Sequence, residues 1–535
     1  MAMKSIEYRL DDPGFTIYHR AALGGLAATV RAWNKHGVPE PLKYVPSSTS
    51  APGVLTGEDG SRVEIFMDAA RVTLAWEEKT SARAALALLL SASFERTEQG
   101  MIFLPGQGIV PDREDVLVAI HNSVSQTFLQ HAKKRPGSGV REVALVDETN
   151  GALRIVSYKK VEKYSHQSGQ GTGLLGEGWT VEDGELPDIA SIPQSLMPGA
   201  TGGAKSLDVR PEVAFLLHYL MVACPVMLLR SRKHSTKTRN CVVVPDVTDL
   251  RMFAMRLHRS GTSQIRGFSN TYLGRIVGGA EEAALRFLLD LRGLDAADLL
   301  GVSNFEVVAM GKVAWDGNQQ NRSGIARVDP VHFKELGVFE AAARQLGAAV
   351  WKKTKTGDPF PAPESPVPEL VAANLASGDH WCAHFRDLVA KKQDFIDLCY
   401  RREGLKAMRD AIQNPADQLV IRRFQKAWEM TMGALGERSR AQKFDFGHLV
   451  EVEREKIRNE LLRCKTSGQL TGWLLQFMNK ASREGTPRIF SEDAETFQEF
   501  IFNPHNAERL QNLLLFALVS YSSQIVKAAD NPDPE

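Results

Sequence analysis

Five prolines (Pro359, Pro361, Pro363, Pro366 and Pro368) fall within residues 356–368, and this stretch separates two parts of unlike pattern. Proline fixes φ and offers no backbone N–H, so such a run reads as an extended, fairly stiff linker. Residues 1–355 mix short β-type runs with helical patterns, whereas 369–528 carry almost no β signal. The expected fold class is α+β, an N-terminal mixed α/β domain over 1–355 followed by a C-terminal all-α helical bundle over 369–535.

In the first part Leu23, Leu26, Ala27, Val30 and Trp33 recur at helical spacing, which predicts a helix over Thr16 to Trp33. Gly24, Gly25 and Ala28 inside it imply close packing against another backbone, at some cost in helix stability. β-type runs are expected at Arg62–Phe66, Leu153–Val161, Cys241–Val244 and Phe305–Val308. Helical patterns lie at Ala82–Leu90, Asp115–His131 and Ala280–Leu291, and the Gly-, Ser- and Gln-rich segment 165–206 reads as a long loop. In the second part Val450, Ile457, Leu461 and Cys464 form one helical stripe. Asn503 and Pro504 make a cap and first turn before an apolar helix over 505–527.

Length and charge bound the function. A chain of 535 residues holds two to four domains and can bury a large core without staples. Lys+Arg number 65 and Asp+Glu 64, a net charge of +1, which excludes a histone-like polycation or an acidic tail protein. Nucleic-acid binding survives that balance, because local patches matter more than the sum. Cys224, Cys241, Cys382, Cys399 and Cys464 are scattered singly, the pattern of a reducing cytoplasm. The N-terminal residues lack a signal-peptide core, and the apolar stretch Val213–Leu229 contains His218, Tyr219 and Pro225. It falls short of a membrane span and reads as a buried helix broken near Pro225, so the expectation is a soluble cytoplasmic protein without a membrane partner.

Several motifs are set aside on physical grounds. Gly171, Gly173 and Gly176 fit a dinucleotide loop, but no helix follows to meet a pyrophosphate. Residues 199–206 nearly match a phosphate-binding loop, yet Ala204 stands where glycine is needed and Pro193 and Pro198 spoil the preceding strand. His380, Cys382 and His384 could offer metal ligands, but alternating ligands suit a strand and this segment opens a helix. Asn321-Arg322-Ser323 fits a glycosylation pattern that a cytoplasmic chain never presents to its machinery. No catalytic residue, metal or cofactor is assigned.

What stands out is positive charge. Arg230, Arg232, Lys233, Lys237 and Arg239 lie in one run with hydroxyls between them and no acid, between an apolar helix and an apolar strand. Such a loop suits phosphate contacts, and equally suits a solvated surface. Smaller clusters lie at Lys133, Lys134 and Arg135, at Lys159, Lys160 and Lys163, and at Lys352, Lys353 and Lys355. Arg401, Arg402, Lys406, Arg409, Arg422, Arg423 and Lys426 add a basic region early in the bundle. Asn318, Gln319, Gln320, Asn321 and Arg322 follow Trp315 as a polar turn whose amides suit base edges.

The stretch Pro13 to Ala27, with Phe500, Ile501, Phe502, Asn503 and Asn506 to Arg509 near the other end, resembles the large subunit of type I CRISPR Cascade complexes, in the myxan-type branch. Overall length and the α/β-then-helical layout agree. The resemblance implies a non-catalytic role beside crRNA and target DNA: recognition of the short PAM duplex, stabilisation of the R-loop, and recruitment of a helicase-nuclease or a transposition protein. It implies as partners a handle-binding subunit, a backbone subunit and small subunits. No motif of that family fixes the PAM-reading residues, so the DNA-binding candidates stay Arg230, Arg232, Lys233, Lys237, Arg239, Lys352, Lys353 and Lys355. The PAM-reading candidates stay Asn318 to Arg322. The alternative from another class is a nucleotide- or metal-dependent enzyme that processes nucleic acid, using the phosphate-loop-like stretch or the His380 cluster. Met408, preceded by Glu403 and Gly404, is a candidate internal start for a separately made bundle, in competition with Met430 and Met432.

Overall fold

The computed structural model describes residues 3–48, 51–107, 117–118, 121, 140–146, 153–160, 185–193, 206–229, 239–263, 276–292, 301–313, 316–329, 335–353, 359–363, 365–481 and 493–522. The chain forms two compact units. One comprises 1–332 with 351–362, the other 333–350 with 363–535.

The first unit is organised on α1 (Ile17–His36). Thr16 caps it in extended backbone, and His19 Nδ1 accepts the Thr16 N–H at 3.0 Å. Gly37 closes it at φ 81°, donating its N–H to the Trp33 carbonyl. Nearly every position from Ile17 to Val30 is buried, so this helix is wrapped by neighbours on all sides. A Cβ on Gly25 would lie 2.2 Å from the Tyr219 carbonyl oxygen, which is the close backbone approach that its glycines imply.

A five-stranded antiparallel sheet follows β1 (Met3–Arg9), β2 (Lys43–Val45), β3 (Gly53–Thr56), β4 (Arg62–Met67) and β5 (Arg71–Glu77), in the order β1-β5-β4-β3-β2. Leu55, Val63, Ile65, Val72 and Leu74 are among its buried positions and alternate along the strands as a half-covered sheet requires, while Leu74 to Trp76 at the end of β5 are buried in succession. α2 (Ala82–Ser93) packs on β3 and β4, started by Ser81 accepting from the Ala84 N–H.

A second five-stranded sheet takes β6 (Val226–Leu229), β7 (Arg239–Val247), β8 (Ile276–Val277), β9 (Val302–Val313) and β10 (Asp316–Val328), in the order β8-β6-β7-β9-β10. Every residue from Cys241 to Val247 is buried, as a central strand covered on both faces demands. α1, α3 (Leu250–Ser263) and α4 (Ala280–Arg292) supply that cover: α1 and α4 pack on β7, and α3 packs on both helices. The apolar stretch Val213–Leu229 is buried but not one helix. It runs through two short helices and a 3-10 turn to Ala223 and, beyond Pro225, becomes β6. Of the expected loop 165–206, residues 190–193 form a strand paired with 206–209, and Pro193 sits at that strand's end.

The second unit is built from α5 (Leu336–Leu346), α6 (Val367–Ser377), α7 (Lys392–Tyr400), α8 (Arg402–Asp410), α9 (Pro415–Gln442), α10 (Phe446–Arg463), α11 (Ser467–Ala481), α12 (Ala494–Phe502) and α13 (Ala507–Ser520). Trp381 and Phe385 meet Phe516 edge-on at 4.9 and 5.5 Å between ring centres, an aromatic centre for the bundle. Asn503 caps as expected, its Oδ1 accepting the His505 N–H ahead of α13, which ends at Ser520. The expected linker is corrected. Pro359–Pro363 is a strand paired with Ala349–Lys353, and Val367 already begins α6. A two-stranded ribbon leaves each strand a free edge, where a missing N–H is tolerated. α5 belongs to the helical unit although it precedes the prolines.

Candidate nucleic-acid interface

Strand register brings together two stretches far apart in the chain. β6 and β7 pair antiparallel with Leu228 opposite Asn240 and Leu229 opposite Arg239. Residues 230–238 therefore connect the two strands at that end of the sheet. Asn240 is opposite Met310 on β9, and Met310 is opposite Arg322 on β10. One row thus crosses four strands through Leu228, Asn240, Met310 and Arg322. Toward the loop end, Gly311 pairs with Asn321 and Lys312 with Gln320. At about 4.8 Å per strand, the backbones of Asn240 and Arg322 are roughly 10 Å apart. Leu229 and Arg239, the described residues that flank the basic run, lie at the same end of one sheet as the amide-rich segment.

Residues 318–322 lie within β10 rather than in a free turn, because the β9–β10 hairpin extends beyond the end of β7. The pairing is irregular at two places, between Ala309 and Met310 and between Lys312 and Val313. Ser323 is passed over at the first, and Asn318 and Gln319 fall in the second. Bulges bend a strand and increase its local twist.

β8 runs parallel to β6 with Val277 opposite Leu229, so α4 starts at this end too. Its N-terminus serves itself: Glu282 accepts the Gly278 N–H at 2.8 Å and holds Arg286 at 2.7 Å. Arg230, Arg232, Lys233 and Lys237 lie outside the described residues, and Arg239 is the first residue of β7. Lys352 and Lys353 end the strand Ala349–Lys353, and Lys355 lies outside. The glycine motif 171–176, most of 199–206, and Lys133, Lys134, Arg135 and Lys163 also lie outside.

The basic region of the bundle differs. Arg409, Arg422, Arg423 and Lys426 surround a cleft of about 840 Å³. Arg409 holds Asp410 at 2.7 Å, Lys426 holds Glu429 at 2.9 Å, and Arg422 reaches Asp493 at 3.4 Å. Arg423 lies 4.4 Å over the Phe497 ring, and burial lowers its pKa. These cations are largely matched within the bundle, which weakens the cleft as a phosphate track.

The His380 cluster is corrected from a helix start to a turn. Residues 381–384 form the turn, His384 sits at φ 58°, and a single helical turn follows at Phe385–Leu388. His380 Nδ1 accepts the Cys382 N–H, and its Nε2 donates to Asp417 at 2.7 Å. Both ring nitrogens are engaged, and neither is presented to a metal or a substrate. Fully buried Asp417 also accepts from Arg509 at 2.6 and 2.9 Å, which makes it a tie between the turn, α9 and α13. Among the described residues no three His, Cys, Asp or Glu side chains are grouped to hold a metal ion. Burial pushes the Cys224 and Cys382 thiols up, and Cys241 up to about 12, which withholds thiolate chemistry.

Sequence reasoning missed one polar anchor. Arg20 on α1 donates to Asp246, which also accepts from Asn304 at 2.9 Å and Ser303 at 3.2 Å. The signal was an arginine on a helix buried all round and an aspartate inside an apolar strand. This tie sits at the end of β7 away from the loop, where it fixes the sheet against α1.

Residues 7–218 match the DevT N-terminal domain and residues 409–535 the DevT C-terminal domain. Over 556 residues the chain is 26% identical to the CRISPR-associated protein Cas8a1/Csx13 of Myxococcus xanthus (strain DK1622), spanning 99% of this chain and 91% of that protein. No described helix is long and apolar enough to cross a membrane.

Proposed function

The chain belongs to the DevT family as a large subunit of a type I CRISPR Cascade of the myxan-type branch, and from that premise we propose that the loop end of its second sheet contacts target DNA. The observation that carries this reading is the register that places Arg239 and Asn240, where the chain enters β7, two strands from Asn321 and Arg322 at one end of the sheet. Phosphate contacts position a duplex, and amide side chains read or displace bases. In this reading Arg230, Arg232, Lys233, Lys237 and Arg239 hold backbone, with Lys352, Lys353 and Lys355 as further contacts. Asn318 to Arg322 meet the PAM duplex and help part it. Guide pairing supplies the rest of the specificity, and R-loop formation is near balance, so modest backbone contacts tip it. The role is binding rather than catalysis. The commitment of His380 to Asp417 and the buried thiols support that. Partners are crRNA, the handle-binding, backbone and small subunits, and a downstream helicase-nuclease or transposition protein, in the cytoplasm.

The test is the salt dependence of DNA binding by the assembled complex. Reversing Arg230, Arg232, Lys233, Lys237 and Arg239 should weaken binding and lower the log–log salt slope by about 0.7–0.9 per lost phosphate contact. An unchanged slope would return the loop to a solvated surface.

A further inference from the structure

The helical unit carries an arm without a core. In α9 the last buried residue is Trp428, and in α10 the first is Ile457. From Glu429 through Lys456 no residue is buried. Fourteen helical residues beyond Trp428, at 1.5 Å each, carry the arm about 20 Å from the bundle. Its turn is locally fixed: Lys443 sits at φ 51°, Ser439 Oγ donates to the Phe444 carbonyl at 2.7 Å, and Asp445 caps α10 through the Gly447 N–H. Phe444 and Phe446, beside that turn, are 53% and 44% exposed. Met430, Met432, Leu435, Leu449 and Val450 are only half-buried, so the two antiparallel helices gain less from packing than the rest of the bundle, and helix stability in proteins comes mostly from burying an apolar face.

At the root of this arm lies a groove of about 410 Å³ between α7 and α10. Phe395, Ile396, Tyr400 and Val452 give it an apolar lining, with Tyr400 78% and Val452 51% exposed. Its charges are mixed. Lys392 is bound to Glu455 at 2.7 Å, Glu451 lines the same wall, and Arg402 and Arg454 complete the rim. A nucleic acid would set phosphates against Glu451 and Glu455 and leave the apolar lining unused. A helix laid along the groove would bury the lining and make a three-helix packing with α7 and α10.

We infer that the groove between α7 and α10 is a docking site for an amphipathic helix of a protein partner. That helix sets large apolar side chains at i and i+4 against Ile396, Tyr400 and Val452, and an acidic side chain toward Arg402 and Arg454. This site is independent of the DNA contact at the sheet end.

The test uses the full chain in its assembled complex, with a photo-crosslinking phenylalanine analogue in place of Val452. The expected product joins this position to a helical segment of another protein subunit that carries apolar residues four apart and an adjoining acid. Tyr400→Asp should weaken retention of that subunit by about 30-fold, as for loss of a central aromatic anchor. Arg402→Glu should weaken it about tenfold, and a glutamate-to-lysine change in the crosslinked segment should restore binding to that variant. Both variants alter exposed side chains, and an unchanged circular dichroism spectrum and melting curve would verify the fold. A crosslink to crRNA or DNA, to a second copy of this chain, or to a segment without an acid would overturn the proposal. Full retention by the Tyr400→Asp variant, or no crosslink at all, would overturn it as well.

Discussion

A methyl group on Gly25 would meet the Tyr219 carbonyl oxygen at 2.2 Å, and backbone cannot step aside as a flexible side chain can. Gly25→Ala should therefore cost about 1–3 kcal/mol, the range for overpacking, read as a lower urea midpoint for the first unit. Gly433, in the arm, has nothing within 4 Å of its missing Cβ. Gly433→Ala should stabilise α9 by about 0.5–1 kcal/mol, since only chain entropy is at stake. Histidines held neutral by burial, His19 and His258 among them, set a pH dependence for the same unit as Gly25. Burial, with Arg20 nearby, lowers His19 to about 4, and burial lowers His258 to about 4. Both folded values lie below the unfolded value near 6.5, so folding favours the neutral ring. Their contribution is complete above about pH 7 and is lost as pH falls from there toward 4, by about 2 kcal/mol each at pH 5. Urea titrations at pH 8 and pH 5 would show it, and a midpoint that did not fall would contradict the burial of these rings. The glycine cluster was legible because small residues on an apolar helix have few other uses. The Arg20–Asp246 tie was not, because its partners are separated by most of the first unit's length.

Periodicity made α1, α2, α4 and the β4, β7 and β9 strands legible, since each has an apolar pattern that only one geometry buries. It failed where composition and pairing disagree. Pro359–Pro363 is a strand because Ala349–Lys353 lies beside it, and Asn318–Arg322 is strand because β9 runs on as its partner. Neither partner is visible from the segment itself. The same blindness hid the row that sets Asn240 two strands from Arg322, which is a fact of strand order rather than of sequence distance. The β9–β10 hairpin yields a prediction of its own. Replacing Gln319, Gln320 and Asn321 with alanine should slow PAM-dependent opening of duplex DNA more than it weakens binding to pre-opened DNA. Amide contacts to base edges act on the duplex, whereas phosphate contacts act on both substrates. Stopped-flow measurement with a fluorescent base analogue beside the PAM would separate the two, and equal loss on both substrates would remove the hairpin from PAM reading.

Whether a free bundle is made from an internal start depends on where the helical unit is complete. Met408 is fully buried inside α8, and Gly404 on the same helix lies against Leu346 of α5. A product beginning at Met408 would keep Asp417 with Arg509, but lose His380, which bonds that carboxylate. It would also lose Trp381 and Phe385, which cover Phe516, and Arg386, whose N–H and guanidinium bond Asn512 and Gln511. With Phe395, Leu398 and Leu405 gone as well, the missing apolar burial is on the order of 10 kcal/mol, comparable to the whole stability of a domain. A fragment of residues 333–535 contains every helix of the unit. It should melt cooperatively with a sharp near-ultraviolet spectrum. Residues 408–535 alone should keep helical signal, bind a hydrophobic dye and lack that transition. If mass spectrometry of the complex expressed from its native gene finds a product starting at Met408, its exposed Phe516 face has to be covered by the subunits it joins. Met408→Leu should remove that product while sparing the full chain, because the exchange preserves volume in the core. A cooperatively folded 408–535 fragment would show instead that α5 to α7 are dispensable to the bundle, and that Trp381 only caps a core already closed without it.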